Sequence, residues 1–246
     1  MKPKTTFGIE LEFSLLNSTN YNSLKRWLTN RFNDKWELGT DSSVSGYGSE
    51  LRTKGGLEIV DLLKDFKVIS QKLSSYYKED KLYVDSSAGF HIHIGIKDWT
   101  LGDLEKFHYC FLHSIQDWFA FQPPSRQNNH FCHRNIDDNI YAEIGDHQDH
   151  YKAINVGNSL ARHGTIELRM FAGTIQFWKV FNTLHLINQY IKEIRRIKED
   201  RPAETTLRKI VKNKKLKDFY MQRVKQLNPH RYFTIKAEEE TICVES

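Results

Sequence analysis

Cysteine is scarce in this chain of 246 residues. There are three, Cys110, Cys132 and Cys243, an odd number at wide spacings. A disulfide framework needs cysteine pairs and a structural zinc site needs close spacings such as CxxC. Neither is expected, and a reducing compartment is. Long apolar runs are also missing. No stretch approaches the roughly 20 apolar residues a membrane-spanning helix needs, and Met1-Lys2-Pro3-Lys4-Thr5-Thr6 carries no apolar signal region. A cytoplasmic protein with no membrane partner is the expectation. Charge of one sign is not in large excess, since 36 Lys and Arg against 31 Asp and Glu give +5. That balance is no argument for nucleic-acid binding, and it suits a ligand carrying phosphates or carboxylates. No internal repeat is visible.

What is present describes a globular chain, with 39% hydrophobic and 27% charged residues. The length allows one large domain or two small ones with a real core. Strand patterns alternate with amphipathic helices. Helical spacing predicts helices over 21–32, 59–77, 100–121 and 176–197, the third opened by a Thr100/Asp103 capping box. Strands are predicted at 36–43, 49–53, 82–85, 89–96, 151–156 and 164–171. Residues 122–150 begin with Pro123-Pro124 and are rich in Asn, Asp, His and Gln, which predicts a long surface loop or insertion. Past residue 200 the composition turns basic. The expected division is a catalytic domain over 1–199 and a basic helical C-terminal extension over 200–246.

Three short strands carry the chemistry: Gly8-Ile9-Glu10-Leu11-Glu12-Phe13, Gly89-Phe90-His91-Ile92-His93-Ile94 and Thr165-Ile166-Glu167-Leu168-Arg169-Met170. Side chains two apart share a face of a strand. Each strand therefore sets a polar pair on one face and apolar residues on the other. An ordinary sheet with one wet face shows the same alternation. Such a face also draws on Lys, Thr, Ser and Gln, whereas this one holds only Glu, His and Arg. Converging carboxylates would repel one another and resist desolvation unless a divalent cation joined them. Carboxylate-rich coordination favours Mg²⁺, and a histidine admits Mn²⁺. Arg169 cannot ligate a metal; its fork suits a phosphate or carboxylate beside one. Metals with an anion clamp describe a nucleotide-phosphate site.

Ser49-Glu50-Leu51-Arg52 repeats the pairing on a fourth strand, with Glu58 at the start of a helix and Asp41-Ser42-Ser43 in a turn. Each has a plainer reading as well. Glu50 would serve as an exposed edge charge, Glu58 as a carboxylate meeting a helix dipole, and Asp41 as a turn former.

Taken in order, these segments resemble the amidoligase (carboxylate–amine ligase) family of the glutamine synthetase and glutamate–cysteine ligase superfamily. The matching pieces are Phe7 to Phe13, Asp41-Ser42-Ser43, Glu50 to Thr53, Ala88 to Gly95, Tyr151 to Asn155, and Thr165 to Arg169 with Gly173-Thr174. The resemblance implies an α+β fold, a curled antiparallel sheet around an ATP site with helices packed outside. It implies an ATP- and Mg²⁺- (or Mn²⁺-) dependent ligase that joins a small-molecule or peptide carboxylate to an amine through an acyl phosphate. By the same resemblance Glu10, His91 and Glu167 hold one metal. Glu12 and Glu50, with Glu58, hold a second. His93 and Arg169 contact phosphate, and Asp41 lies near the incoming amine. Arg52, Arg126 and Asn155 are further candidates for contact with nucleotide or substrate. Ser42, Lys54 and His150 depart from the family's usual glycine, proline and arginine.

Three other readings compete. A cupin-type hydrolase or oxygenase would use His91 and His93 with Asp98. A loop zinc site would draw on His130, Cys132, His133, His147 and His150, at spacings that fit no familiar tetrahedral pattern. A non-enzymatic module would offer the basic stretch 206–226 to nucleic acid or a protein partner, although its charges spread around the helix without interleaved aromatics. An oligomer is compatible with all of these.

Overall fold

The structure, a computed structural model, describes residues 5–235 with 128, 135, 138, 150, 200, 203 and 204 left aside. The candidate His150 and the residue Cys243 lie outside the described residues. The elements run β1 (Thr6–Leu15), α1 (Ser18–Phe32), β2 (Trp36–Thr40), β3 (Tyr47–Thr53), β4 (Leu57–Glu58), α2 (Ile59–Lys78), β5 (Leu82–Tyr83) and β6 (Gly89–Gly95). Then follow α3 (Leu101–His113), α4 (Ile115–Ala120), α5 (Pro124–Gln127), a 3₁₀ turn (His130–Cys132), α6 (Ile140–Gly145), β7 (Ile154–Asn155) and α7 (Gly157–His163). The chain continues through β8 (Thr165–Ala172), α8 (Phe177–Ile194), α9 (Leu207–Ile210) and α10 (Lys214–Leu227). Contacts divide it into two compact units, Met1–Trp99 with His130–Leu184, and Thr100–Asn129 with His185–Ser246.

The first unit is built on an open, antiparallel sheet in the order β2-β3-β1-β6-β8-β7, with β4 and β5 also pairing with β1. The long β1 is interior, paired with β3 on one side and β6 on the other, and its even-numbered and odd-numbered residues sort cleanly by polarity. Phe7, Ile9, Leu11 and Phe13 are fully buried on one face. Ile92 and Ile94 of β6 and Ile166 and Leu168 of β8 extend that apolar surface in register. Helix α2 covers apolar surface with Leu62, Phe66, Ile69 and Leu73, each fully buried and each stabilising by roughly 1.5–3 kcal/mol. Phe66 stacks on Trp36 of β2 at 6.3 Å and on Phe177 at 6.4 Å.

One irregularity matters to the opposite face. Between the pairs Phe90↔Phe171 and Ile92↔Leu168, β8 carries one residue more than β6. Arg169 and Met170 thus oppose the single residue His91, a β-bulge of the kind that re-aims side chains.

In the second unit Phe107, Phe111, Trp118, Phe121, Tyr190 and Tyr220 are buried together. The capping box of α3 forms as expected, Thr100 Oγ1 accepting from the Asp103 N–H at 3.1 Å. The single helix expected over 100–121 is instead two. At the break Ser114 Oγ donates to the Cys110 carbonyl at 2.7 Å and meets Tyr190 Oη at 2.8 Å, holding the chain in a local hydrogen-bonded turn. The basic stretch is likewise two helices, since residues 211–213 leave the helical path before Asn213 caps α10. Its apolar residues bind it down. Leu216, Phe219, Tyr220 and Val224 are buried, and Asp117 accepts the Leu207 N–H at 2.9 Å.

The expected surface loop over 122–150 is also corrected. It holds two short helices and buries Cys132, Ile140 and Glu143. Lys152 explains much of this order. Its ammonium lies 2.9 and 3.0 Å from the Glu143 carboxylate oxygens and 2.7 Å from Asp146, tying α6 to the start of the β7 segment.

Candidate metal and anion site

The polar residues of the predicted strands do share one face. Register places Glu10 between His91 on β6 and Arg52 on β3, Glu12 opposite Glu50, and His93 opposite Glu167. Asn155 of β7 stands opposite Glu167 on its other side. The face is not a wet one: His91 is 3% exposed, Glu167 5% and Glu12 6%.

Ligand atoms of Glu10, His93 and Glu167 all fall within 4.8 Å of one another. Among the described residues this is the one such grouping, and the loop residues His130, Cys132, His133 and His147 form none. His91 joins from the side. Its Nδ1 is 3.3 Å from Glu10 and 3.6 Å from Glu167, and its Nε2 is 3.4 Å from Glu12. Both oxygens of Glu12 are engaged, the second accepting the Gly89 N–H at 2.5 Å. At Gly8 a Cβ would meet Thr53 Oγ1 at 3.0 Å and His93 Cβ at 3.3 Å, so the glycine makes room for His93.

Other contacts orient the group. His93 Nδ1 meets Thr165 Oγ1 at 3.2 Å, which turns Nε2 toward Glu10. Asn155 donates to Glu167 Oε2 at 2.8 Å, and Arg169 Nη1 to Glu167 Oε1 at 2.6 Å. The Arg169 guanidinium also lies 6.0 Å from the Tyr151 ring centre.

Protonation follows from this crowding. Burial pushes the Glu10 carboxyl up, yet the close-lying His91 and His93 outweigh it and hold Glu10 below the usual range. Burial and the charge of Glu10 push Glu50 up to about 7. Burial raises Glu167 less than Arg169 and the two histidines lower it, so it stays ionised. For His93 burial acts downward and Glu10 upward, and the balance is upward.

Two openings meet over the cluster, sharing Glu10, His93 and His163. One of about 160 Å³ is lined by Asn155, Asn158, Ser159, Arg162, Glu167 and Arg169. The other, about 310 Å³, is lined by Gly8, Gly55, Gly56, Gly95, Arg52 and Lys54 among others. Arg162 and His163 were not expected here. The cue in the sequence is Gly164, which ends α7 in the left-handed conformation (φ 64°) and sets those two residues in its last turn.

Arg52 bonds Glu37 and lies 3.1 Å from Glu50. Asp41 caps its own turn, accepting from Ser43 N at 2.8 Å and Ser43 Oγ at 2.6 Å. Glu58 pairs with Thr6, four residues from Glu10 along β1 or about 13 Å of strand. It makes no side-chain cap to α2. Arg126, 2% exposed, belongs to the second unit. Asp98, the acid a cupin would need, sits in a turn after β6, and the sheet is open rather than a barrel.

The donor set fits a divalent cation. The buried Nε2 of His93 has no hydrogen-bond partner among the described residues although Glu10 Oε1 is 3.1 Å away, and Arg169 Nε is likewise unpartnered. Unpaired buried polar atoms are costly, and here they border carboxylates and two openings.

The open antiparallel sheet with its helices is that of a glutamine synthetase-like fold. A cryo-EM structure of Plasmodium falciparum glutamine synthetase is similar at a TM-score of 0.57 and 11% identity, over 80% of this chain and 52% of that one. The chain thus spans about half the length of that protein, and the likeness is one of fold. The family model described as "Putative amidoligase enzyme" matches residues 3–144, more than half of the chain, and the chain belongs to that family, a ligase class. No curated protein matches it. No helix among the described residues is long and apolar enough to cross a membrane.

Proposed function

We propose that the protein is an ATP- and Mg²⁺-dependent ligase that forms an amide bond between a carboxylate and an amine by way of an acyl phosphate. The observation that carries this is the meeting of Glu10, His93 and Glu167 within 4.8 Å beside an arginine with an unused, buried N–H.

A carboxylate is a poor electrophile. In the proposed first step its oxygen attacks the γ-phosphorus of ATP, the bond to the bridging oxygen breaks, and ADP leaves. The amine nitrogen then attacks the acyl carbon, the carbon–oxygen bond to phosphate breaks, and the amine gives up a proton. Glu10, Glu167 and the neighbouring histidines would hold Mg²⁺ or Mn²⁺, which when bound neutralises charge on the transferred phosphoryl group. The chain's own groups do the rest. Arg169, fixed by Glu167 and bordered by Tyr151, lines the smaller opening and offers its positive charge to an anion bound there. His93, held by Thr165, keeps Nε2 turned toward Glu10, where it would serve the metal. Asn155 keeps Glu167 turned toward the cluster. Asp41 orients the amine through the carboxylate oxygen that its turn leaves unused.

The test is incubation of the protein with Mg²⁺-ATP, hydroxylamine and a panel of carboxylates, including peptides. The expected result is ADP and a hydroxamate with at least one acid. Neither product across a broad panel would overturn the reading. A metal-dependent hydrolase would release product without ATP.

A further inference from the structure

The tripeptide Asp-Ser-Ser occurs twice, at 41–43 and 85–87. The two copies fold alike. Asp41 Oδ1 accepts from Ser43 N at 2.8 Å and Ser43 Oγ at 2.6 Å, and Asp85 Oδ1 accepts from Ser87 N and Oγ at the same two distances. They lie on either side of the same end of β1, where Ser14 stands opposite Gly48 on one flank and Tyr83 on the other.

They differ in the second carboxylate oxygen. Asp85 Oδ2 accepts the hydroxyl of Ser45, in the loop that Asp41 opens. Ser45 is held twice more, its N–H donating to Ser87 Oγ at 3.2 Å and its carbonyl accepting from Ser14. The loop closes tightly behind it. Gly46 has φ 69°, and a Cβ on Gly48 would sit 2.0 Å from the Asp41 carbonyl. Asp41 Oδ2 has no hydrogen bond among the described residues. Asp41 directly follows β2, where Gly39 stands opposite Glu50, and its N–H donates to the Gly48 carbonyl at 3.0 Å, while the 84–88 loop leads directly to Gly89, the donor to Glu12.

We infer that the Asp85–Ser45 bond clasps the 41–46 loop and positions Asp41 to present its unused oxygen to the amine substrate. Asp85 and Ser45 are positioning residues; neither touches the reacting atoms. This rests on the ligase reading, because the amine is defined only there.

The test uses the full chain as wild type, Asp85→Asn, Ser45→Ala, Ser45→Thr and Asp41→Asn. Amide exchange of residues 41–48 should quicken about tenfold in Asp85→Asn and Ser45→Ala, with β1 unchanged, and return toward wild type in Ser45→Thr, which keeps the hydroxyl. With hydroxylamine as the amine, KM for hydroxylamine should rise about tenfold in Asp85→Asn, Ser45→Ala and Asp41→Asn, while KM for ATP holds. Unchanged exchange in both clasp variants would overturn the clasp. Quickened exchange with unchanged hydroxylamine KM would overturn the positioning role. If wild type ligates nothing, the ligase reading and the amine role fall together, and exchange still decides the clasp.

Discussion

His93 Nε2 and Glu10 Oε1 stand 3.1 Å apart without the alignment of a hydrogen bond. Two lone-pair donors so placed are what a cation requires, and with Glu167 they make three. Mn²⁺ or Mg²⁺ should therefore raise the melting temperature. At a hundredfold excess over Kd the stabilisation is about 2.7 kcal/mol, or roughly 5–10 °C for a chain of this size. Glu10→Ala and Glu167→Ala should abolish the shift, and chelation should reverse it. A melting temperature indifferent to both ions in the wild type would refute the metal assignment.

Glu50 gives a pH test in chelator. Its carboxyl is raised from 4.5 to about 7 by burial and by Glu10. The folded state therefore holds this proton more tightly than the unfolded state. Its stability contribution is favourable below about 4.5 and falls away as pH rises through about 7. Glu50→Gln should match wild type near pH 4 and exceed it at pH 8, by on the order of 2 kcal/mol. Urea midpoints at the two pH values measure this. A variant less stable than wild type at pH 8 would contradict it.

The strand pairs were legible because period two is imposed by the backbone, whatever the side chain. Glu10/Glu12, His91/His93 and Glu167/Arg169 could be sorted to one face before any fold was known. The bulge that opposes Arg169 and Met170 to His91 was not legible, since neither glycine nor proline marks it. The break at Ser114 was hidden for a related reason: a serine inside an apolar helical period reads equally as continuation or as local hydrogen bonding. Arg162 and His163 reach the site through a seven-residue helix too short to show a period. Lys152 gave no sign of its partners, because Glu143 and Asp146 meet it only through the path of the loop.

That buried pair predicts a large destabilisation. Lys152 is 8% exposed and Glu143 1%. Lys152→Met would leave the Glu143 carboxylate buried without its cation, at a cost of about 3–5 kcal/mol. The double variant Lys152→Met/Glu143→Leu should recover much of the loss, because the only carboxylate left without the ammonium is that of the more solvated Asp146. Urea unfolding of both variants checks this, and equal loss in the two would show that shape, rather than charge, dominates there.

Asp146 extends the test to acid, through the same ammonium but from a more solvated position. Its hydrogen bond from Lys152 lowers the carboxyl from 3.8 to about 2. A depressed carboxylate contributes stability that is present above its unfolded value and lost as pH falls through its folded one. Wild type should thus lose stability between about pH 4 and pH 2, and Asp146→Asn should show a shallower decline over that window. Asn158 donates to the His147 carbonyl at 2.8 Å, and a Cβ on Gly157 would sit 2.3 Å from the Asp146 carbonyl, so this corner also seats α7. Loosening it should disturb the wall formed by Arg162 and His163. Asp146→Asn should therefore raise KM for ATP or carboxylate at neutral pH by a few fold while leaving the metal-dependent melting shift intact. Loss of that shift in Asp146→Asn would mean that the corner supports the metal cluster itself.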